Sequence, residues 1–466
     1  MKRVTILSWY TSAFLKKHKK VLLLSATFGV IIAIFSIWVL PYIPRPNPVV
    51  KVGLIGQFRR TQLPEYITSK VGQGLTTILE DGTPAPALAQ DWSISDDGLI
   101  YTFFLRKDLF WQDETEITAQ DFNYNFQGVE STALDNHTLQ FTLQSPYTPF
   151  LTLVNQPILK NNLYGTAEYT IRSVEEKSGY LDKVILESQK ETIHIKFYPN
   201  LERAITSFKL GEIDEIQDIY TNPFQDQSEW NDNIIVTIEQ DTNQYIGLFL
   251  NNNDPFLGDK TFRQALAYAT PKPEEDKRAL SPISKDSWAY NADVKPYDYD
   301  SERAVELLEK SLGSLEKANE ISLTIGTTQT FLPLAEQIAK QWEEVLPISA
   351  NAQIINTIEN TYQILLLSQQ IPVDPDQYSM WHSTQEQNIV KLNNVRIDKI
   401  LEDARIETDP EIRQELYFDF QRFFVEESPV IFYSYPDIYT IQRTSIVKPI
   451  IRSTLNFGIE SPKHEN

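Results

Sequence analysis

The chain has 466 residues, no cysteine, and 63 acidic against 42 basic side chains, for a formal charge of −21. The missing cysteines exclude disulfides, thiolate metal sites and a cysteine-linked lipid. The negative charge excludes an affinity for nucleic acid built on phosphate neutralisation, and reads instead as a solvated surface that keeps the protein dispersed.

Residues 1–20 hold Lys2, Arg3, Lys16, Lys17, Lys19 and Lys20 and no acid. Residues 21–40, VLLLSATFGVIIAIFSIWVL, carry no charge. At about 1.5 Å per residue such a run matches a hydrocarbon core of roughly 30 Å. It is expected to be one N-terminal transmembrane helix, not a cleaved signal, because it runs into PYIPRPNP and not into a small-residue cleavage site. The basic tail keeps the N-terminus cytoplasmic and places the remainder outside, as a single-pass cell-membrane protein. Pro41, Pro44, Pro46 and Pro48 make residues 41–49 an extended stalk. The roughly 420 residues that follow exceed one core, so at least two lobes are expected.

In IYTFFL, Tyr101, Phe103 and Leu105 share one face of a strand that follows the SDDG turn; in HTLQFTLQ, Leu139, Phe141 and Leu143 do the same. ETIHIKFY repeats the pattern with Ile193, Ile195 and Phe197, leaving His194 on the polar face. Later the pattern becomes βαβ: a strand at 321–327, a helix at 333–346 with Leu334, Ile338, Trp342 and Val345 in step, and a strand at 351–355. Asp259 caps a helix bearing Phe262, Ala265, Leu266 and Ala269, with Arg263 set for an internal ion pair. Asp300 caps another that Gly313 ends, and Asp409 with Pro410 opens a third. The class is α/β.

A search for chemistry returns little. The five histidines, at 18, 137, 194, 382 and 464, form no HExxH-like pair, so no metal site is expected. There is no GxSxG elbow and no P-loop, and GQGLTT at 72–77 is only a fragment of a dinucleotide fingerprint. No catalytic residue and no cofactor is assigned.

Six ordered stretches share one pattern: PALAQDWSISDDGLIYTFFLRKDLFWQDETEITAQDFNYNF (86–126), LGEID (210–214), LFLNNNDPFLGDKTFRQALAYAT (248–270), YDYDSERAVELLEKS (297–311), DPDQYSMWHS (374–383) and the closing RIDKILEDARIETDPEIRQELYFDFQRFFVEESPVIFY. Together they resemble the extracytoplasmic solute-binding proteins, family 5, of ABC importers for oligopeptides, dipeptides and nickel. The resemblance implies a two-lobed periplasmic-binding-protein-like fold (type II, cluster C) with a reduced extra subdomain. It places lobe I at 50–243, the extra subdomain at about 85–150, lobe II at 244–429, and the return to lobe I with the tail at 430–466. It implies a monomer that captures a peptide or similar polar solute and hands it to ABC permease subunits. A ligand-binding sensory module and a binder of another solute are the alternatives; a tethered hydrolase lacks its motifs.

In this family the DPDQYSMWHS segment lines the cleft between the lobes, so Asp374, Asp376, Tyr378, Trp381 and His382 are the expected ligand-binding residues. Taken alone the same residues also fit a Pro-fixed turn, with aspartates on backbone N–H groups and Trp381 in the core. Relatives place a carboxylate three residues before this motif for the peptide ammonium; here the position is Ile371. Either Asp376 takes that role or the ligand has no free amine. Asp113-Glu114 replaces the usual Asp-Gly, the 124–129 and 269–288 segments are short, and the span stands where relatives carry a lipidated cysteine.

Overall fold

The computed structural model describes residues 47–444 except 162, 228, 229, 231, 356 and 358–361, together with 17–21, 24, 25 and 27–29. Most of the expected span, the stalk up to residue 46 and the tail from 445 lie outside the described residues. Among the described residues no helix is long and apolar enough to cross a membrane. The chain divides into a small unit, Met1–Val49 with Gln189–Thr192, and a large one, Val50–Ser188 with Ile193–Asn466. The cores and cavities described below belong to the large unit.

A seven-stranded sheet runs in the order Ile234–Gln240, Asp437–Arg443, Glu215–Ile219, Val49–Ile55, Thr192–Tyr198, Tyr180–Glu187, Thr170–Lys177. Ile193, Ile195 and Phe197 are buried in its core, as their alternation predicts. A separate four-stranded antiparallel sheet orders Ala89–Ile94, Ile100–Leu105, Thr138–Leu143 and Val129–Asp135. Its inner face is Tyr101, Phe103 and Leu105 against Leu139, Phe141 and Leu143, closed by Trp111 and Phe150. The preceding turn is tied by Asp97, whose carboxylate accepts from Ser95 Oγ at 2.6 Å and from the Leu99 N–H at 3.1 Å. Gly98 sits there at φ +68°, a conformation that costs a residue without Cβ nothing.

The third main sheet has five strands in the order Ser349–Ile354, Ser322–Thr327, Ile364–Gln370, Gln244–Leu250, Val430–Ser434. The expected βαβ unit is its edge: Ser322–Thr327 and Ser349–Ile354 pair in parallel, joined by the helix Leu332–Val345. Asp259, Asp300 and Asp409 each accept an N–H at the start of their helices, and Gly313 ends the second at φ +74°. Arg263, 2% exposed, stands 3.6 Å from Glu427 and also donates to the Leu257, Gly258 and Glu427 carbonyls.

The five-stranded sheet joins the seven-stranded one at residues 241–243 and again at 435–436, where the Asp241 N–H donates to the Pro436 carbonyl at 2.9 Å. The second crossing falls after the strand Val430–Ser434, not at 430. Val430 and Ile431 register with Phe249 and Leu248 and bury in that sheet's cores, which holds the strand on its own side.

Candidate functional site

A cavity of about 940 Å³ opens between two walls. One wall comes from the helix Glu65–Val71, the chain that follows it and the 147–157 segment; the other is Pro372–Asp376 with Ser379 and Arg405. Most of the lining is neutral, and Thr68, Gln73, Asn155 and Gln156 carry hydroxyl or amide groups.

The 372–379 loop is shaped by its own aspartates. Asp374 accepts from the Asp376 N–H at 3.0 Å, and Asp376 accepts from the Tyr378 N–H at 3.1 Å. These two successive Asx turns feed a single helical turn, Tyr378–Trp381. Each aspartate also meets an arginine. Asp374 takes a two-point pair from Arg413, at 3.0 and 2.6 Å, on the helix Pro410–Glu427. Arg413 is saturated further by the Ala404 carbonyl and the Tyr417 hydroxyl. Burial works against the Arg413 charge, but Asp374 and Tyr417 outweigh it and hold the guanidinium above its ordinary pKa. Asp376 lies 3.2 Å from Arg405 Nε, on the helix Val395–Ile406. Burial dominates there and raises the Asp376 carboxyl above the usual carboxylate range despite Arg405.

Two rings approach Arg405: its guanidinium carbon stands 4.9 Å from the Tyr147 ring centroid and 4.5 Å from that of Tyr378. Tyr378 in turn stacks on His382 at 4.3 Å, and His382 Nε2 lies 3.4 Å from Glu402. Beyond this stack a second cavity, about 670 Å³, is shared by the four-stranded subdomain and the helix carrying Lys399, Glu402 and Asp403. Tyr147, Leu153 and Arg405 border both cavities. The walls are also bridged directly. Thr148 donates from its N–H to the Arg405 carbonyl and from its hydroxyl to the Glu407 carbonyl. The Trp288 N–H donates to the Asp81 carbonyl, at the tip of the hairpin formed by Thr76–Ile78 and Pro84–Pro86. In that tip Gly82 has φ +84°, and a Cβ would stand 3.1 Å from the Val373 carbonyl oxygen.

The five residues expected at the site therefore divide. Asp374 and Asp376 line the larger cavity and Tyr378 the smaller. Trp381, 2% exposed, packs on Phe249 and Phe424 and donates from Nε1 to Gln377. His382, 5% exposed, backs Tyr378. Ile371 is buried in the core beneath the loop, its N–H on the Asn243 carbonyl. Sequence reasoning missed Tyr147, Arg405 and Arg413. A signal existed for Arg413, which shares helical spacing with the buried Tyr417, Phe420 and Phe424, and a charge on an apolar face calls for a buried partner. Arg405 carries no such mark.

The sequence matches the family of bacterial extracellular solute-binding proteins, family 5, over residues 83–129 and 126–390, well over half the chain. The chain belongs to that family. It is 24% identical to the periplasmic murein peptide-binding protein MppA of Escherichia coli, over 86% of this chain and 87% of that protein. With the dipeptide-binding protein DppE of Bacillus subtilis it shares 23% identity, over 84% and 85%. Its fold resembles the crystal structure of the ABC transporter substrate-binding protein CtaP of Listeria monocytogenes, with a TM-score of 0.71 at 21% identity, covering 85% of this chain and 94% of that one. Members of the family bind solutes and are not enzymes, in keeping with the lack of catalytic motifs.

Proposed function

We propose that this protein captures peptides in the 940 Å³ cavity and delivers them to an ABC importer, tethered to the membrane outside the cell by residues 21–40. The observation that carries the reading is the cavity itself. It is large enough for several residues, and its neutral amides and hydroxyls can pair with peptide main chain directly or through water. The names of MppA and DppE support the peptide assignment. Closure would turn about the two crossings at 241–243 and 435–436, bringing Tyr147 and Thr148 onto Arg405 and Glu407, and the permease would recognise the closed form of the monomer. Asp376 and Tyr378 would meet the ligand, with Asp374, Trp381 and His382 fixing the loop they stand on. Native mass spectrometry of the full chain released from detergent micelles tests this. A heterogeneous set of short co-purified peptides is the expected result, whereas an empty protein whose melting temperature is indifferent to peptide pools would overturn it.

A further inference from the structure

Thr76, Thr77 and Ile78 line the larger cavity, and the tip of their hairpin crosses to Val373, which lines it from the other wall. The tip is held in shape by its own hydrogen bonds. The Leu79 N–H donates to the Thr83 carbonyl, the Gly82 N–H to the Leu79 carbonyl and the Thr83 N–H to the Asp81 carboxylate, each at 2.9 Å. Its landing point is equally fixed. The Trp288 N–H donates to the Asp81 carbonyl at 2.8 Å; the Trp288 carbonyl accepts from Gln414, and its ring meets Tyr417 edge-on at 6.0 Å, both on the helix Pro410–Glu427. A Cβ on Gly82 would already stand 3.1 Å from the Val373 carbonyl oxygen, so at this edge the walls are in contact through main chain. They touch a second time where Thr148 donates to the Arg405 and Glu407 carbonyls.

We propose that this hairpin tip, residues 79–83, limits the length of the peptide that the protein takes. This rests on the peptide reading above and adds a size class to it, peptides of a few residues. Such a ligand fits with both bridges intact, since 940 Å³ lies near the top of the roughly 300–1,000 Å³ that enclose a drug-sized molecule. An extended peptide advances about 3.3–3.6 Å per residue, so a long one has to leave the cavity. Between Ile78 and Val373 the tip bars its way, and passing there breaks the hydrogen bond from Trp288 to Asp81. Because the barrier is built of main chain on both sides, it reads the length of the ligand and is blind to its side chains.

The test titrates the full chain in detergent, by intrinsic fluorescence or calorimetry, with two mixed-sequence free-acid peptide pools, one of three residues and one of eight. The wild type is expected to bind the three-residue pool about 10-fold more tightly, the worth of the hydrogen bond that a longer ligand breaks. Replacing Leu79–Gly82 by Asn-Gly leaves a three-residue loop between the paired Ile78 and Pro84, withdraws the tip and should erase the difference. Gly82→Val, whose side chain has no room before Val373 and is strained at φ +84°, should erase it by displacing the tip at full length. Equal affinity of the wild type for both pools overturns the proposal without touching the peptide reading. So does a difference that survives in both variants, or an equal loss of both pools in both, the mark of a clasp the cavity needs whatever it holds. Binding of neither pool by the wild type removes the peptide reading and this proposal together.

Discussion

Asp374 and Asp376 stand two residues apart on one loop and each faces an arginine, yet the two pairs differ in what surrounds them. Around Asp374 and Arg413 each guanidinium nitrogen and each carboxylate oxygen has a protein partner, and both side chains are buried. Around Asp376 and Arg405 the contact is off-line, the arginine borders two cavities, and the Tyr147 and Tyr378 rings stand 4.9 and 4.5 Å from its guanidinium carbon. A saturated pair can only hold structure, while an unsaturated one beside a cavity can exchange its partner for a ligand.

The largest effect is expected where saturation is greatest. Arg413→Met leaves the Asp374 carboxylate buried with only the Asp376 N–H, and denaturant unfolding should show a loss of about 3–5 kcal/mol. Trp381→Phe, which removes ring volume and strands the Gln377 amide, should cost about 1–3 kcal/mol by the same assay. Arg405→Gln should cost under about 1 kcal/mol, as expected for a partly exposed pair. A cost near that of Arg413→Met would erase the distinction between the two pairs.

The smallest effect concerns pH. A carboxyl whose folded pKa is raised binds its proton more tightly in the folded state, so its stabilising contribution is complete below the unfolded value, about 3.9, and is lost as pH rises through the folded value. Wild-type stability should therefore fall from about pH 4 upward relative to Asp376→Asn, then run parallel to it. A parallel course across the whole range in paired urea titrations would contradict the burial of Asp376.

Much of the frame was legible in the sequence because it rests on local rules. The alternation at Tyr101 to Leu105 and the caps at Asp259, Asp300 and Asp409 depend on residues within one or two turns of each other, the βαβ edge on three consecutive periodic segments, and each stands as expected. The site was legible only in outline. In the 374–382 stretch the aspartates make Asx turns and line the cavity, while Trp381 faces the core and Tyr378 a cavity. Period alone cannot sort these, since four residues of one helical turn point to different neighbours. Arg405 was invisible for another reason. Its partners Tyr147 and Asp376 lie far from it in sequence and come together only through the packing of the subdomain on the helix Val395–Ile406.

The affinity of Asp376→Asn for the free-acid peptide pool addresses the difference between the two pairs most directly. Asp376 lines the cavity beside Arg405, and on the reading proposed above it meets the ligand, so Asp376→Asn should bind the three-residue pool about 10-fold more weakly than the wild type. Unchanged affinity of Asp376→Asn would contradict the account, because Asp376 would then do no more for the ligand than the buried Asp374.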